Sequence, residues 1–380
     1  MSILQRYLYK NVKQDLKDKM VFVGGPRQVG KTVFSLMFLD NASVKNPAYL
    51  NWDSLTDKSI IKTGKIPSNK KIIVLDEIHK FPRWRGILKG LYDKNKEDTS
   101  FLVTGSARLD HYRKGGDSLQ GRYYYYRLHP FSLNELAKKP TQTDFEQLFQ
   151  FGGFPEPLIK ASSRFLNRWH KERLERVIYQ DIRDLESLRE VGLIELLIDA
   201  LPARIGSPLS MNSLAEDIEV SPKTIKHWLD ILDKIYLTFR LLPFGAPKIR
   251  AVKKEQKCYF WDWAMNHDKG EQFENMIACQ LLKYCHYYED VNGEKMELRY
   301  LRDTDKREVD FIVLKNKKPL FAVEAKYSSK QLSSHLSYFQ ERVNIPHVYQ
   351  VHADKDDYGN TKNGGRTLPF WTFCRELSMP

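Results

Sequence analysis

Met20–Leu39 reads MVFVGGPRQVGKTVFSLMFL, and three signals follow one another in it. The apolar run Val21 to Val23 predicts a short buried strand. Gly24 and Gly25 break it, and Gly25-Pro26-Arg27-Gln28-Val29-Gly30-Lys31-Thr32 then spells GxxxxGK[ST]. A helix follows, with Val33, Leu36 and Met37 on one face. Strand, glycine loop and helix in that order are what a phosphate-binding loop requires. Glycines let backbone N–H groups curl around the phosphates, and the helix N-terminus adds partial positive charge. The pattern assigns Lys31 to the β- and γ-phosphates and the Thr32 hydroxyl to Mg²⁺. ATP and Mg²⁺ are therefore the expected cofactors.

Working outward, KKIIVLDEIHKF (70–81) carries a second buried strand, Ile72 to Leu75, ending in Asp76 and Glu77. Strand ends are where α/β sheets place ligand chemistry. Asp76 is expected to hold the Mg²⁺ through water, and Glu77 to polarise an attacking water. A third strand, SFLVTGSA, ends in Thr104, Gly105 and Ser106. A hydroxyl there, Ser106 above all, is placed to orient the water or sense the γ-phosphate; a turn hydroxyl satisfying backbone is the competing reading. Arg122 follows GGDSLQG. An arginine beside an ATP site supplies charge to the transition state, often from a neighbouring subunit, so a homo-oligomer is expected. A local salt bridge is the plainer alternative.

The series GPRQVGKT, IIVLDEIH, LVTGSA, SLQGRYYYYRLHPFSLNEL and FGGFPEP resembles a prokaryotic family of AAA-type ATPases. The C-terminal domain of that family has long been known only as a domain of unknown function. The resemblance spans most of the chain and is most specific in the GR…L.PFS..E stretch and the GGFPEP turn. It implies a RecA-like core, then helical and winged-helix parts, then a nuclease-like end.

FGGFPEP, from Phe151 to Pro157, is a Gly- and Pro-rich break and closes the expected ATPase core at residue 150. After it, SSRFLNRWHKERLERVIYQDIRDLESL reads as one long helix. Phe165, Trp169, Leu174, Val177, Ile178 and Ile182 stripe one face, with Arg164, Arg168, Lys171, Arg173 and Arg176 spread over the remainder. Leu214 and Ala215 open a short helix. Ser221 can cap the next, with Pro222 at its first position. That helix buries Ile225, Leu229 and Leu232 and offers Lys223, Thr224, Lys226 and His227 to a groove. IYLTFRLLPF is expected to complete a wing-like strand pair, giving a helical and winged-helix segment over 151–250. Such folds also serve as lids and protein docks.

Residues 251–380 change pattern to helix, three strands, helix and strand, the core order of a restriction-endonuclease-like α/β fold. EVDFIVLKNKKPLFAVEAKY, from Glu308 to Tyr327, keeps charges at the ends of two apolar strands. Charges there are costly unless paired or metal-bound. Glu324 and Lys326 share a face because i and i+2 point alike, and Asp310 is expected beside them. Asp310, Glu324 and Glu274 on the leading helix make a set for Mg²⁺ or Mn²⁺, and Lys326 is placed to orient water or offset phosphorane charge. The pattern resembles the PD-(D/E)xK nucleases: Asp310 matches the first Asp, Glu324 and Lys326 the E-x-K, and Glu274 the acid of the leading helix. Val309 stands where the name calls for Pro. A salt bridge on an ordinary sheet is the competing account.

The 380 residues hold 61 Lys and Arg against 48 Asp and Glu, a net +13, which favours a polyanionic partner: nucleic acid, DNA ahead of RNA. Four cysteines without a CxxC pair fit a reducing compartment. No apolar run approaches the ~20 residues of a membrane span. The charged N-terminus, with Ile3, Leu4, Tyr7, Leu8, Val12 and Leu16 at helical spacing, reads as a packed amphipathic helix rather than a signal peptide. A cytoplasmic protein without membrane contact is expected. The sequence thus supports an α/β ATPase acting on nucleic acid with a nuclease-like end. The alternative is a nucleotide-controlled switch whose C-terminal sheet is a non-catalytic binding module.

Overall fold

The computed structural model describes residues 4–105, 109, 119–182, 188–245, 255–328, 332–360 and 364–380. The chain divides into two compact units, Met1–Pro130 and Phe131–Pro380.

The first unit runs α1 (Tyr9–Asp15), β1 (Met20–Gly24), α2 (Lys31–Leu36), β2 (Tyr49–Asn51), α3 (Leu55–Thr63), β3 (Ile72–Asp76), α4 (Trp84–Asn95), β4 (Ser100–Thr104) and β5 (Tyr123–Arg127). The strands form one parallel sheet in the order β2-β3-β4-β1-β5. Near-continuous apolar runs are what such strands need when both faces are covered. Val21, Val23, Ile73, Val74, Leu75, Phe101, Leu102 and Val103 are accordingly buried. Because β4 lies between β1 and β3, the ends of all three strands meet at one edge.

The second unit opens with α5 (Leu133–Leu136), α6 (Gln142–Phe151), α7 (Pro155–Lys160), α8 (Ser163–Arg176), α9 (Leu188–Ala200), α10 (Met211–Ile218) and α11 (Pro222–Lys234). The Gly-Pro break expected to close the ATPase core at 150 is here a helix–helix turn between α6 and α7. Beyond α8 the helix loosens into a π-helical stretch, Val177–Ile182. Arg173, expected on its solvent face, is buried: its guanidinium lies 4.2 Å from the Phe154 ring and 3.9 Å from Asp262. Ser221 caps α11 as expected, accepting from Thr224 N–H at 3.1 Å. Lys223, Lys226 and His227 are exposed.

The expected strand pair within Ile235–Phe244 is corrected. Only β6 (Thr238–Leu241) forms there, and its antiparallel partner is β7 (Lys257–Phe260). Tyr236, at φ 61°, makes a turn before it, and Pro243 lacks the N–H to extend a ladder. The pair therefore spans the 250/251 division expected from sequence.

Next come α12 (Lys269–Asn292), β8 (Met296–Arg302), β9 (Glu308–Lys315), β10 (Lys318–Lys326), α13 (Ser334–Val343), β11 (His347–His352), β12 (Gly359–Asn360), β13 (Gly365–Pro369) and α14 (Phe370–Glu376). Their sheet has the order β12-β13-β11-β10-β9-β8. Asn316 and Lys317, at φ 51° and 65°, join β9 to β10 in a two-residue turn. Pairing starts at Lys318 opposite Lys315, then shifts between Pro319 and Phe321, so that Val323 faces Phe311. One residue further on, Asp310 stands opposite Glu324.

Candidate functional site

The nucleotide site is assembled where β1, β3 and β4 end. Gly25 has φ 146°, and a Cβ there would lie 2.4 Å from the Leu128 carbonyl oxygen, so no side chain fits. Gln28 at φ 62° and Gly30 at φ 93° complete the curl into α2. Arg6 braces it from below, donating to the Val29 carbonyl at 2.9 Å and to the His129 carbonyl. Lys31 Nζ is buried and donates to the carbonyls of Gly25 and Pro26 at 3.0 and 2.6 Å. Asp76 accepts from Thr32 Oγ1 at 2.8 Å, Thr104 Oγ1 at 2.5 Å and the Tyr49 hydroxyl at 2.7 Å. Burial and the charge of Asp76 raise the Tyr49 phenol above its usual range. It stays a neutral donor.

Glu77 sits in left-handed backbone at φ 58°, its N–H held by the Thr104 carbonyl at 3.0 Å. Burial raises its carboxyl, against the charges of Lys31 and Lys80. That is the direction a proton-accepting group needs. Pro26, Arg27 and Val29 complete the loop. Ser106 lies outside the described residues, and Thr104 is the hydroxyl found on Asp76. Arg122 does not reach the site of its own chain. Its carbonyl accepts from Met20 N–H at the starts of the strands, and its guanidinium grips Asp93 at 2.8 and 3.2 Å. Five strand residues separate it from the phosphate loop, on the order of 16 Å.

The acidic cluster lies in the second unit. Asp310 N–H donates to Glu324 Oε2 at 3.4 Å, and Ala325 N–H donates to Asp310 Oδ2 at 2.9 Å. Lys326 Nζ lies 2.8 Å from Glu324 Oε1. Asp310, Glu324 and Lys326 are therefore brought together. Glu274 approaches differently: its Oε1 accepts from the Tyr259 hydroxyl at 2.7 Å and from Lys257 Nζ at 3.3 Å. Its Oε2 packs against Gly206, where a Cβ would come within 2.8 Å. Lys257, 0% exposed, also reaches Glu308 Oε1 at 2.6 Å and Asp310 Oδ1 at 3.5 Å. Glu308 Oε2 is held by Arg302 at 2.6 Å.

Burial, then the charge of Asp310, raise Glu274 to about 7 and Glu324 to about 8, opposed by Lys257 and Lys326 respectively. Lys326 is raised too: the Glu324 charge outweighs the cost of its partial burial. Lys257, though buried, is held protonated by Glu274, Asp310 and Glu308. Both glutamates bind a proton more tightly folded than unfolded. The folded state therefore carries extra protons between pH 4.5 and about 8, and stability falls as pH rises through that window. In metal-free buffer the melting temperature is expected to drop from pH 5 to pH 8, and to drop less in Glu324→Gln. Parallel melting curves for the two proteins across this range would refute the coupling.

Sequence reading missed Lys257, Tyr259, Glu308 and Tyr49. Glu308, two residues before Asp310, was available by strand alternation, and a lysine leading the apolar KCYF was an unused signal. Tyr49 and Tyr259 carry none.

Against known proteins, the family described as "AAA domain" matches residues 17–137. Two families described as domains of unknown function, DUF8612 and DUF4143, match 142–269 and 269–373. The uncharacterized protein MJ1544 of Methanocaldococcus jannaschii is 22% identical over 83% of this chain and 77% of its own length. A second protein of that organism, MJ1637, is 26% identical over 68% of this chain and 64% of its own. The uncharacterized Rv2008c of Mycobacterium tuberculosis is 23% identical, and the match spans 65% of this chain and 55% of that one. Solved structures similar to this one include the Aeropyrum pernix ORC1 protein in complex with DNA, at TM-score 0.34 and 12% identity over 72% of this chain and 93% of that one. The Thermotoga maritima RuvB Holliday junction branch migration motor scores 0.31 at 15% identity over 61% and 89%. Among the described residues no helix is long and apolar enough to cross a membrane. With the phosphate loop on β1 and Asp76 on β3 of a RecA-like parallel sheet, residues 17–137 make this protein an AAA-type P-loop ATPase whose nucleotide is ATP.

Proposed function

We propose that the protein is an ATP-driven nucleic-acid enzyme whose second unit carries a metal-dependent phosphodiester hydrolase site. One observation carries this: Asp310, Glu324 and Lys326 converge on one face of two paired strands. Two like carboxylates this close are costly unless a cation is bound between them. Among the described residues no three His, Cys, Asp or Glu side chains are gathered into a metal-holding group. Two carboxylates nevertheless suit Mg²⁺ or Mn²⁺, which keep several waters and accept substrate oxygens. Asp310 and Glu324 would hold the ion; Glu274 is taken up by Tyr259 and Lys257. Bound there, the ion would lower the pKa of its water and polarise the phosphodiester. Lys326 orients the water through Glu324 and offsets charge on the phosphorane.

The run of α12, β8–β10, α13 and β11 supports a restriction-endonuclease-like fold, and α10, α11 and the β6–β7 pair support a winged helix. The exposed Lys223, Lys226 and His227 on α11 suit phosphate contacts, and the net +13 favours DNA or RNA as the partner. In the ATPase unit, Thr32 and Asp76 hold Mg²⁺ and Glu77 polarises the attacking water. The presence of Lys257 among the acids favours a second reading, in which the sheet binds a partner without cutting and ATP sets an assembly state. ATPase rate with and without DNA separates the two. Stimulation that disappears in Glu77→Gln is expected; slow turnover indifferent to DNA would favour the switch.

A further inference from the structure

Lys257 is a buried ammonium whose three N–H donors meet Glu274, Glu308 and Asp310 at 3.3, 2.6 and 3.5 Å. It enters from β7, outside the sheet that carries the E-x-K pair. Glu274 is closed on both oxygens, by Tyr259 and Lys257 on one and by Gly206 on the other. The oxygens of Asp310 are shared between Lys257 and the Ala325 N–H. The cluster thus has a cation-rich side, toward Glu274 and Glu308, and an open acid pair, Asp310 and Glu324.

Charge counting sharpens this. Four carboxylates, Glu274, Glu308, Asp310 and Glu324, face three cations, Lys257, Lys326 and Arg302. With every carboxylate ionised, one negative charge is left. One divalent ion and one phosphodiester bring the total to zero. A second divalent ion would leave a charge of plus two in a largely buried site, which is strongly disfavoured. We propose that Lys257 serves as the second cation of this site, a built-in ammonium that limits it to a single divalent metal on Asp310 and Glu324. This rests on the hydrolase reading above and specifies its metal requirement.

The test is Mn²⁺ binding to the full chain without nucleotide, read by electron paramagnetic resonance. The difference between the wild type and Glu324→Ala counts the ions at this cluster and cancels those at Thr32 and Asp76. One ion is expected in the wild type and two in Lys257→Met, with Lys257→Arg keeping one. Should Lys257→Met fail to fold, Glu308→Gln replaces it. There the ammonium loses its 2.6 Å partner and turns on Asp310, and the single ion is expected to bind about tenfold more weakly. Two ions in the wild type, one ion of unchanged affinity in Lys257→Met, or unchanged affinity in Glu308→Gln would overturn the role of Lys257 while leaving the metal site standing. No Glu324-dependent ion in any of these proteins would remove the metal site, and this inference with it.

Discussion

Lys31→Ala is expected to lower ATP turnover by about 10²–10³-fold, the cost of removing one preorganised donor from a charged transition state. The structure holds this lysine ready. Its Nζ lies on the carbonyls of Gly25 and Pro26 at 3.0 and 2.6 Å, inside the curl of the loop, and exchanges them for phosphate oxygens when nucleotide enters. Steady-state phosphate release, with melting curves to show the fold is intact, checks the effect. A fall of less than about tenfold would mean that the loop does not cradle the γ-phosphate as assigned. The same variant addresses Arg122. That side chain sits at the opposite ends of the strands from the phosphate loop and is tied to Asp93, so any role in hydrolysis must be played on a neighbouring subunit. Mixing inactive Lys31→Ala with Arg122→Ala is then expected to restore part of the rate, because one mixed interface pairs an intact lysine with an intact arginine. A mixture no faster than its separate components would return Arg122 to a local salt bridge.

Glu324→Ala is expected to abolish Mg²⁺- or Mn²⁺-dependent cleavage of DNA while leaving ATP turnover at the wild-type rate. Glu324 sits at the crossing of every contact that defines the acid pair: the Asp310 N–H on one oxygen and Lys326 on the other. Its removal takes away one of two proposed metal ligands and frees Lys326 from its 2.8 Å partner. It also removes a carboxyl that burial and Asp310 push up to about 8, so the variant should melt no lower than the wild type above that pH. Loss of cutting therefore cannot be assigned to unfolding. Single- and double-stranded DNA and RNA, with each metal and with and without ATP, should be compared by gel. A wild type that leaves all of them intact while hydrolysing ATP would sink the hydrolase and leave the nucleotide-controlled switch.

Much of the ATPase core was legible because its chemistry is local. GPRQVGKT is a contiguous loop, and LDE is a strand end that alternation and burial place unaided. The acidic cluster was legible only in part. Glu324 and Lys326 share a face by the period of two along any strand, whatever the fold. Asp310 joins them only because β10 slips by one residue between Pro319 and Phe321. Carried straight back from the Asn316–Lys317 turn, the register would have set Asp310 against Val323 and turned Glu324 to the other side of the sheet. Lys257 lay further out of reach, since its partners Glu274, Glu308 and Asp310 are 17, 51 and 53 residues away and on two other elements.

The amino-acid order alone determined which residues could bind phosphate, and which two charges would stand side by side on one strand. Those follow from neighbours in the chain and the geometry of a single loop or strand. Only the tertiary structure decided that Asp310 faces Glu324, that a lysine lies among the acids, and that Arg122 points away from its own nucleotide site. Register, strand order and the packing of distant segments fix these, and they depend on burying apolar faces across the whole fold rather than on the residues that carry the chemistry.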